Sequence, residues 1–287
     1  MRRARSIAAV RRAVAAWKRR GDHVSFVPTM GAIHDGHLSL VRRARAGAPR
    51  RARARVVASI FVNPLQFGPS EDYRRYPRRP RRDRALLRGA GVDLLWEPTV
   101  GTLYPPDHRA RVRVPGIADV LEGRSRPGHF EGVATVVLKL LNVVEPHTVW
   151  LGQKDAQQAA LVERMVNDFD VPVRVRRGAT VREPDGLALS SRNAYLDAEQ
   201  RRQATALWRG LAAARARLRA GERSAARLCA AIRRVWRDTP AVREDYVAVV
   251  DAKSFEPVRR IRGRVVVAVA ARVGPARLID NFEWGTR

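Results

Sequence analysis

The chain has 287 residues, 45% hydrophobic and 29% charged, which excludes a wholly disordered protein and leaves room for one large or two modest domains at about 150 residues each. It carries 56 lysines and arginines against 28 acids, a formal net charge of +28, and since only Lys18, Lys139, Lys154 and Lys253 are lysines, 52 arginines set that charge. The single cysteine, Cys229, excludes an intrachain disulfide and a cysteine-built metal centre.

The basic N-terminus spaces Ile7, Val10, Val14 and Trp17 as one face of a helix. Arg11 and Arg12 interrupt the apolar core that a secretory leader needs. Residues 24–27 read as a buried strand ending at Pro28, 37–46 as a helix, and 55–62 as a second strand ending at Asn63-Pro64. A helix over 79–88 and a third strand over 92–96 follow. Then come a helix over 131–144, a strand over 148–151, a helix over 155–169 and a strand over 171–175. Short, continuously apolar strands alternating with helices predict an α/β fold with a parallel sheet covered on both faces. Ligands of such folds lie at the carboxyl ends of the strands. After about residue 182, where Asp185-Gly186 marks a turn, the pattern changes. A long helix over 197–220 with Asp197 as its N-cap, a helix over 224–237, and strands over 246–251 and 264–272 predict a smaller α+β unit. No run of about 18 apolar residues predicts a membrane span, and the lone cysteine suits a reducing, cytoplasmic setting.

The strongest local signal is the segment 27–37, which reads Val-Pro-Thr-Met-Gly-Ala-Ile-His-Asp-Gly-His between an expected strand and an expected helix. Gly31 and Gly36 let a backbone approach closely. A helix N-terminus with its free N–H groups favours an anion. The imidazoles of His34 and His37 can donate to phosphate oxygens and oppose charge that builds in a displacement. A second signal is Leu187-Ala-Leu-Ser-Ser-Arg-Asn193, where two hydroxyls and a guanidinium suit polyphosphate. Lys154, retained in a chain that nearly always uses arginine, points to a need for a compact ammonium.

A His-x-Gly-His loop paired with a later basic, serine-containing loop resembles the nucleotidyltransferase superfamily that includes class I aminoacyl-tRNA synthetases. Longer blocks narrow this: PTMGAIHDGHLSLV (28–41), SIFVNPLQFGPSEDYRRYPR (59–78), LEGRSRPGHFEGVATVVLKLLNVVEP (121–146), GQKDAQQ (152–158), DGLALSSRNAYL (185–196) and ARLIDN (276–281). Over nearly its whole length the chain resembles the pantoate–β-alanine ligase family. The resemblance implies a Rossmann-like N-terminal domain over 1–182 that binds nucleotide and pantoate. It implies a smaller C-terminal domain over 183–287 that closes over ATP, and a homodimer built through the N-terminal domains. It also implies a two-step reaction. The pantoate carboxylate attacks the α-phosphorus of ATP, giving pantoyl adenylate and pyrophosphate; the β-alanine amine then attacks the acyl carbon and releases AMP. Such a reaction needs positioned anions and neutralised charge, not a side-chain nucleophile.

Carried over residue by residue, the family pattern makes His34, His37 and Lys154 the catalytic candidates, with His37 the family's assigned proton donor. Thr29 and Met30 would line the pantoate–ATP junction beside Gly31, and Gly36 would lie with the histidines at the phosphates. Gln66, with Asn63 nearby, would bind pantoate and help hold β-alanine, and Gln158 would contact pantoate from the opposite side. Gly152 and Asp155 would approach the ribose, Lys154 the phosphates with Gln153 in the same turn, and Val181 the adenine through its backbone. Leu189, Ser190, Ser191 and Arg192 would bind phosphates from the second domain. Arg126 and His129 resemble a family loop near the triphosphate.

Three departures stand out. Gln153 replaces the family's usual glutamate, and Ala156 stands where an aromatic is common. Some relatives carry an acidic run after Tyr-Pro-Arg that helps hold a metal; this chain has Arg81-Arg82-Asp83. Magnesium is therefore expected to arrive bound to ATP, with no metal held by the protein itself. The charge raises a second reading, a nucleic-acid-binding protein on a ligase fold. However, the arginines spread through every segment instead of forming one stripe, and aromatic residues are only 6%, offering few stacking platforms. The expected partners are ATP, pantoate and β-alanine, with no specific nucleic acid. A third reading is an adenylyl transferase with a different acid, which Gln66 and Gln158 in their matching contexts argue against.

Overall fold

A computed structural model describes residues 1–69 and 71–285. Six parallel strands form one sheet: β1 (Arg2–Ala4), β2 (His23–Thr29), β3 (Ala54–Ile60), β4 (Leu94–Trp96), β5 (Thr148–Gly152) and β6 (Arg174–Gly178), in the order β1-β4-β3-β2-β5-β6. Helices α1 (Ile7–Arg19), α2 (Asp35–Ala46), α3 (Pro80–Gly89), α4 (Val100–Leu103), α5 (Glu122–Ser125), α6 (His129–Val144) and α7 (Ala156–Asp168) connect them.

Successive side chains of a strand point to opposite faces, and two cores result. Phe26, Val57, Trp96 and Val149 pack with α1, α6 and α7 on one face, whereas Val27, Val56, Ala58 and Leu95 pack with α2 and α3 on the other. Burial on both faces is why these strands are continuously apolar. The sheet reverses its order between β2 and β5: successive strands after β2 add on one side, β5 and β6 on the other. The carboxyl ends of β2 and β5 therefore flank the crevice where ligands of such sheets bind.

The remainder builds α8 (Ala198–Ala204), α9 (Ala206–Arg219), α10 (Ala225–Arg237) and an antiparallel sheet of β7 (Val242–Asp251), β8 (Val265–Val273) and β9 (Ala276–Trp284). Val247, Val249, Val265, Val267 and Val269 pack on α9 and α10. The opposite face of this sheet, with Val250, Val266 and Ala268, joins Phe255 against Ala156 and Ala160 of α7. Helix α7 thus packs on the parallel sheet with one face and on the antiparallel sheet with the other.

Several expectations need correction. Strand β1 had no signal, being three residues of which two are exposed arginines at the sheet edge. The strand expected over 171–175 lies at Arg174–Gly178, because Pro172 offers no N–H and Val173 N–H turns back to Val171 O at 2.7 Å. The long helix over 197–220 is interrupted at Thr205, whose hydroxyl and N–H both reach the Arg202 carbonyl, at 2.7 and 3.3 Å; such side-chain bonding bends helices. Strand β9 was not expected, because it buries Asp280 and Asn281 where alternation calls for apolar residues.

Candidate functional site

At the carboxyl end of β2, Thr29 turns inward: its hydroxyl donates to Ser59 O at 2.7 Å and accepts from Gly31 N–H at 3.2 Å. Gly31 has φ +84° and Ala32 φ +50°, a left-handed pair that throws the chain away from the sheet. The buried carboxylate of Asp83 accepts from Ala32 N–H at 3.0 Å and Ile33 N–H at 2.9 Å. His34 then caps α2, its Nδ1 accepting from Gly36 N–H at 3.1 Å, while His37 Nδ1 faces His34 N–H at 3.4 Å. The amides of Gly31, Ala32, Ile33 and Gly36 are thus engaged inside the loop. Those four amides are spent on the fold of the loop itself, and the imidazoles of His34 and His37 stand beside them.

The two imidazole centroids stand 4.1 Å apart. Rings that accept at Nδ1 carry their proton at Nε2, so each offers one N–H donor. Burial first, then the proximity of His34 and the Lys154 ammonium, push His37 down to about 3. Burial and Lys154 also lower His34, against the opposing pull of Asp155 and Asp35. Both rings are neutral near pH 7. Lys154 itself lies just past β5 in the 3-10 turn Gln153–Asp155, with Asp155 at 3.9 Å. The crevice predicted by strand order therefore holds two neutral imidazoles and an ammonium.

Beside it a cavity of about 580 Å³ opens between the two sheets. Lys154, Asp155 and Gln158 line it from α7 and the turn before it, Arg126 and His129 from the C-cap of α5 and the start of α6, and Ser190 and Arg192 from the second unit. Thr29, Met30, Gly31, His34, Gly36, His37, Asn63, Gln66, Gly152, Gln153, Val181, Leu189 and Ser191 are not on its wall. Val181 and Leu189 pair by backbone, Leu189 N–H to Val181 O at 3.0 Å. The Gln153 amide donates to Asn281 Oδ1 at 3.3 Å and Glu283 Oε1 at 3.1 Å, so this departure from the family ties the turn to β9.

Asn63 and Gln66 prove to be parts of one buried network. Asn63 is 0% exposed; its amide donates to Gln66 Oε1 at 3.0 Å and Gly132 O at 2.9 Å and accepts from Tyr104 at 2.9 Å. Every direction it could offer a ligand is used. His129 donates from Nδ1 to Gln66 O at 2.8 Å and accepts at Nε2 from Arg126 at 2.9 Å. Burial and the Arg126 charge push His129 down to about 4. Arg126 is clamped by Glu71 at 2.6 and 3.0 Å, and Arg192 meets Asp72 at 3.0 Å.

Sequence reasoning missed these carboxylates and a second cluster on the cavity wall. Buried Glu122 accepts from both terminal nitrogens of Arg277, each at 2.7 Å, and from Tyr246 at 2.8 Å; Asp245 takes Arg277 Nε at 2.7 Å. Glu71, Asp72, Glu122 and Arg277 lie inside the recognised blocks, but their pairings join positions 55, 120 and 155 apart, which no local motif reveals. Asp83, Asp245 and Tyr246 lie outside those blocks. Among the described residues no three His, Cys, Asp or Glu side chains gather to hold a metal ion, and both Asp83 oxygens are engaged by amides.

A parallel sheet with two imidazoles and an ammonium at its switch point, roofed by a second unit carrying Ser190 and Arg192, defines a nucleotide-binding enzyme of the α/β class. The family model described as pantoate-beta-alanine ligase matches residues 2–283. The chain belongs to the pantoate–β-alanine ligase family. It is 51% identical over 276 residues to a pantothenate synthetase of Moorella thermoacetica, covering 96% of each chain. It is 52% identical over 262 residues to that of Thermotoga neapolitana, covering 91% of this chain and 92% of the relative. Among solved structures, pantothenate synthetase from Thermus thermophilus superposes with a TM-score of 0.92 at 48% identity over the whole of both chains. Pantoate-beta-alanine ligase from Francisella tularensis, complexed with beta-gamma ATP and beta-alanine, superposes at 0.79 with 33% identity over 98% of this chain and 97% of that one.

Proposed function

We propose that the chain condenses pantoate with β-alanine, driven by ATP, through a pantoyl adenylate, releasing pyrophosphate and AMP. The observation that carries this reading is the gathering of His34, His37 and Lys154 at the carboxyl ends of β2 and β5. In the first step the pantoate carboxylate attacks the α-phosphorus, and charge builds on the phosphoryl oxygens. Two neutral Nε2–H donors and the Lys154 ammonium oppose that charge. A neutral His37 serves as a hydrogen-bond donor, not as an acid that gives up its proton. Ser190, Ser191 and Arg192 take the phosphates from the second unit, and Arg126 and His129 bound the triphosphate. Gln66 and Gln158 hold pantoate, with Thr29 and Met30 at its junction with ATP; Asn63 acts by fixing Gln66. Gly152 and Asp155 meet the ribose and Val181 the adenine. In the second step the β-alanine amine displaces AMP from the acyl carbon, and the protein's part is to position it. Magnesium arrives with ATP.

The same reading divides the chain at 182/183, with the smaller domain closing over ATP; separate cores on either side support that division. A homodimer and a cytoplasmic location complete it on the strength of the family.

The test follows AMP and pyrophosphate release from ATP, magnesium and pantoate, with and without β-alanine. Sustained AMP release that needs both acids is expected. A folded sample that releases none, or whose release ignores β-alanine, overturns the reading. Salt-sensitive capture of a defined RNA without turnover would put nucleic-acid binding in its place.

A further inference from the structure

We propose that Asp83 is a positioning residue of this ligase: it locks the backbone of Gly31–Ile33 in the one conformation that presents His34 and His37. The proposal rests on reading that loop as the phosphate-binding one.

Asp83 sits in the first turn of α3 and is 1% exposed. In a chain with 56 lysines and arginines it makes no ion pair among the described residues. A buried carboxylate without a cation is costly unless its oxygens are hydrogen-bonded. Both are, one to each of two successive amides, Oδ2 to Ala32 at 3.0 Å and Oδ1 to Ile33 at 2.9 Å. Those amides border two residues of positive φ, and Ala32, which has a Cβ, holds φ +50° only under constraint. The fit is reciprocal at Gly31, where a Cβ would stand 3.1 Å from Asp83 Oδ2 and 3.2 Å from Ile60 Cγ2. From Ile33 the chain runs directly into the His34 cap. The carboxylate thus turns the Ala32 and Ile33 amides inward and fixes the segment that leads into the two imidazoles.

Asp83→Asn keeps the shape but sets an NH₂ against one of the two amide N–H groups, so one anchor becomes repulsive. Expected is a fall of roughly 10²-fold in kcat/KM for ATP, the scale of an ångström's misplacement. His37 should at the same time titrate in NMR nearer its ordinary 6.5. Arg81→Gln, an exposed neighbour on the same helix, should change neither. A merely structural Asp83 would lower the melting temperature but leave the folded fraction's kcat/KM and His37 titration as in the unaltered protein; that result overturns the proposal. Should Asp83→Asn not fold, amide exchange in the unaltered protein decides. Protected Ala32 and Ile33 amides support the anchor, and exchange at free-peptide rates refutes it. If the unaltered protein makes no AMP, the ligase reading fails while titration and exchange still judge the anchor.

Discussion

His37 shows how a single side chain takes its role from its surroundings. Its neutral state is secured by burial, by the second imidazole 4.1 Å away and by Lys154, so its charge does not change across the physiological range. Ligase activity should therefore show no break near pH 6.5 that belongs to His37. A pH profile of kcat/KM that loses such a break in His37→Gln would contradict this. The same substitution should lower kcat by roughly 10²–10³-fold, the usual loss on removing one charge-stabilising donor. Asn63 has the opposite character. Its amide is consumed by Gln66, Gly132 and Tyr104, so Asn63→Ala leaves several buried partners unpaired, at roughly 1–3 kcal/mol each. Denaturant midpoints should fall sharply, whereas a residue that only touched substrate would leave them unchanged. Recognised blocks located Asn63 but could not show which of its atoms were free, because its partners lie up to 69 positions away.

At the scale of elements, helix α6 reaches the site through a missing side chain. A Cβ on Gly132 would run into the Leu65 carbonyl oxygen, so the 3-10 turn Pro64–Gln66 lies directly against the helix backbone. Gly132→Ala should push that turn, and Gln66 with it, out of place. The expected result is a raised KM for pantoate together with lost stability; a KM within twofold of the unaltered value in folded protein would refute the link. The parallel sheet was legible in the sequence because burial on both faces demands continuous β-branched runs, as in β2 and β3. What escaped was set by tertiary context. Strand β1 is too short and too basic to carry a pattern. The break at Thr205 depends on one hydroxyl choosing a backbone carbonyl. Strand β9 buries Asp280 against Arg182, at 2.5 and 2.9 Å, and pairing of that kind has no local periodicity. The histidine loop was legible as chemistry, but its inward amides required Asp83, some 50 residues downstream.

On the scale of the whole molecule, Glu122 and Arg277 tie the two sheets together. They are 155 positions apart and paired through two hydrogen bonds, with Tyr246 and Asp245 completing the cluster. Burial opposes the charge on Glu122, but Arg277 and the Tyr246 hydroxyl more than offset it and hold the carboxyl below its usual 4.5. A depressed carboxylate contributes stability above its unfolded pKa and loses it as pH falls through the folded value. The histidines act in an earlier window. His37 and His129 fold neutral, with values pushed down to about 3 and about 4 from 6.5, so protons bind the unfolded chain first and stability declines from about pH 6.5 downward. The clasp gives way only below about pH 4.5. Removing one partner at pH 7 leaves the other charge buried, so Arg277→Met alone should cost roughly 3–5 kcal/mol. The double variant Glu122→Gln with Arg277→Met should recover a good part of that loss, because no bare charge remains. Chemical denaturation of the four proteins at pH 7 closes the cycle. Losses that simply add would mean that the two residues do not couple and that the apolar contact of α7 with Val250, Phe255 and Val266 joins the sheets without them.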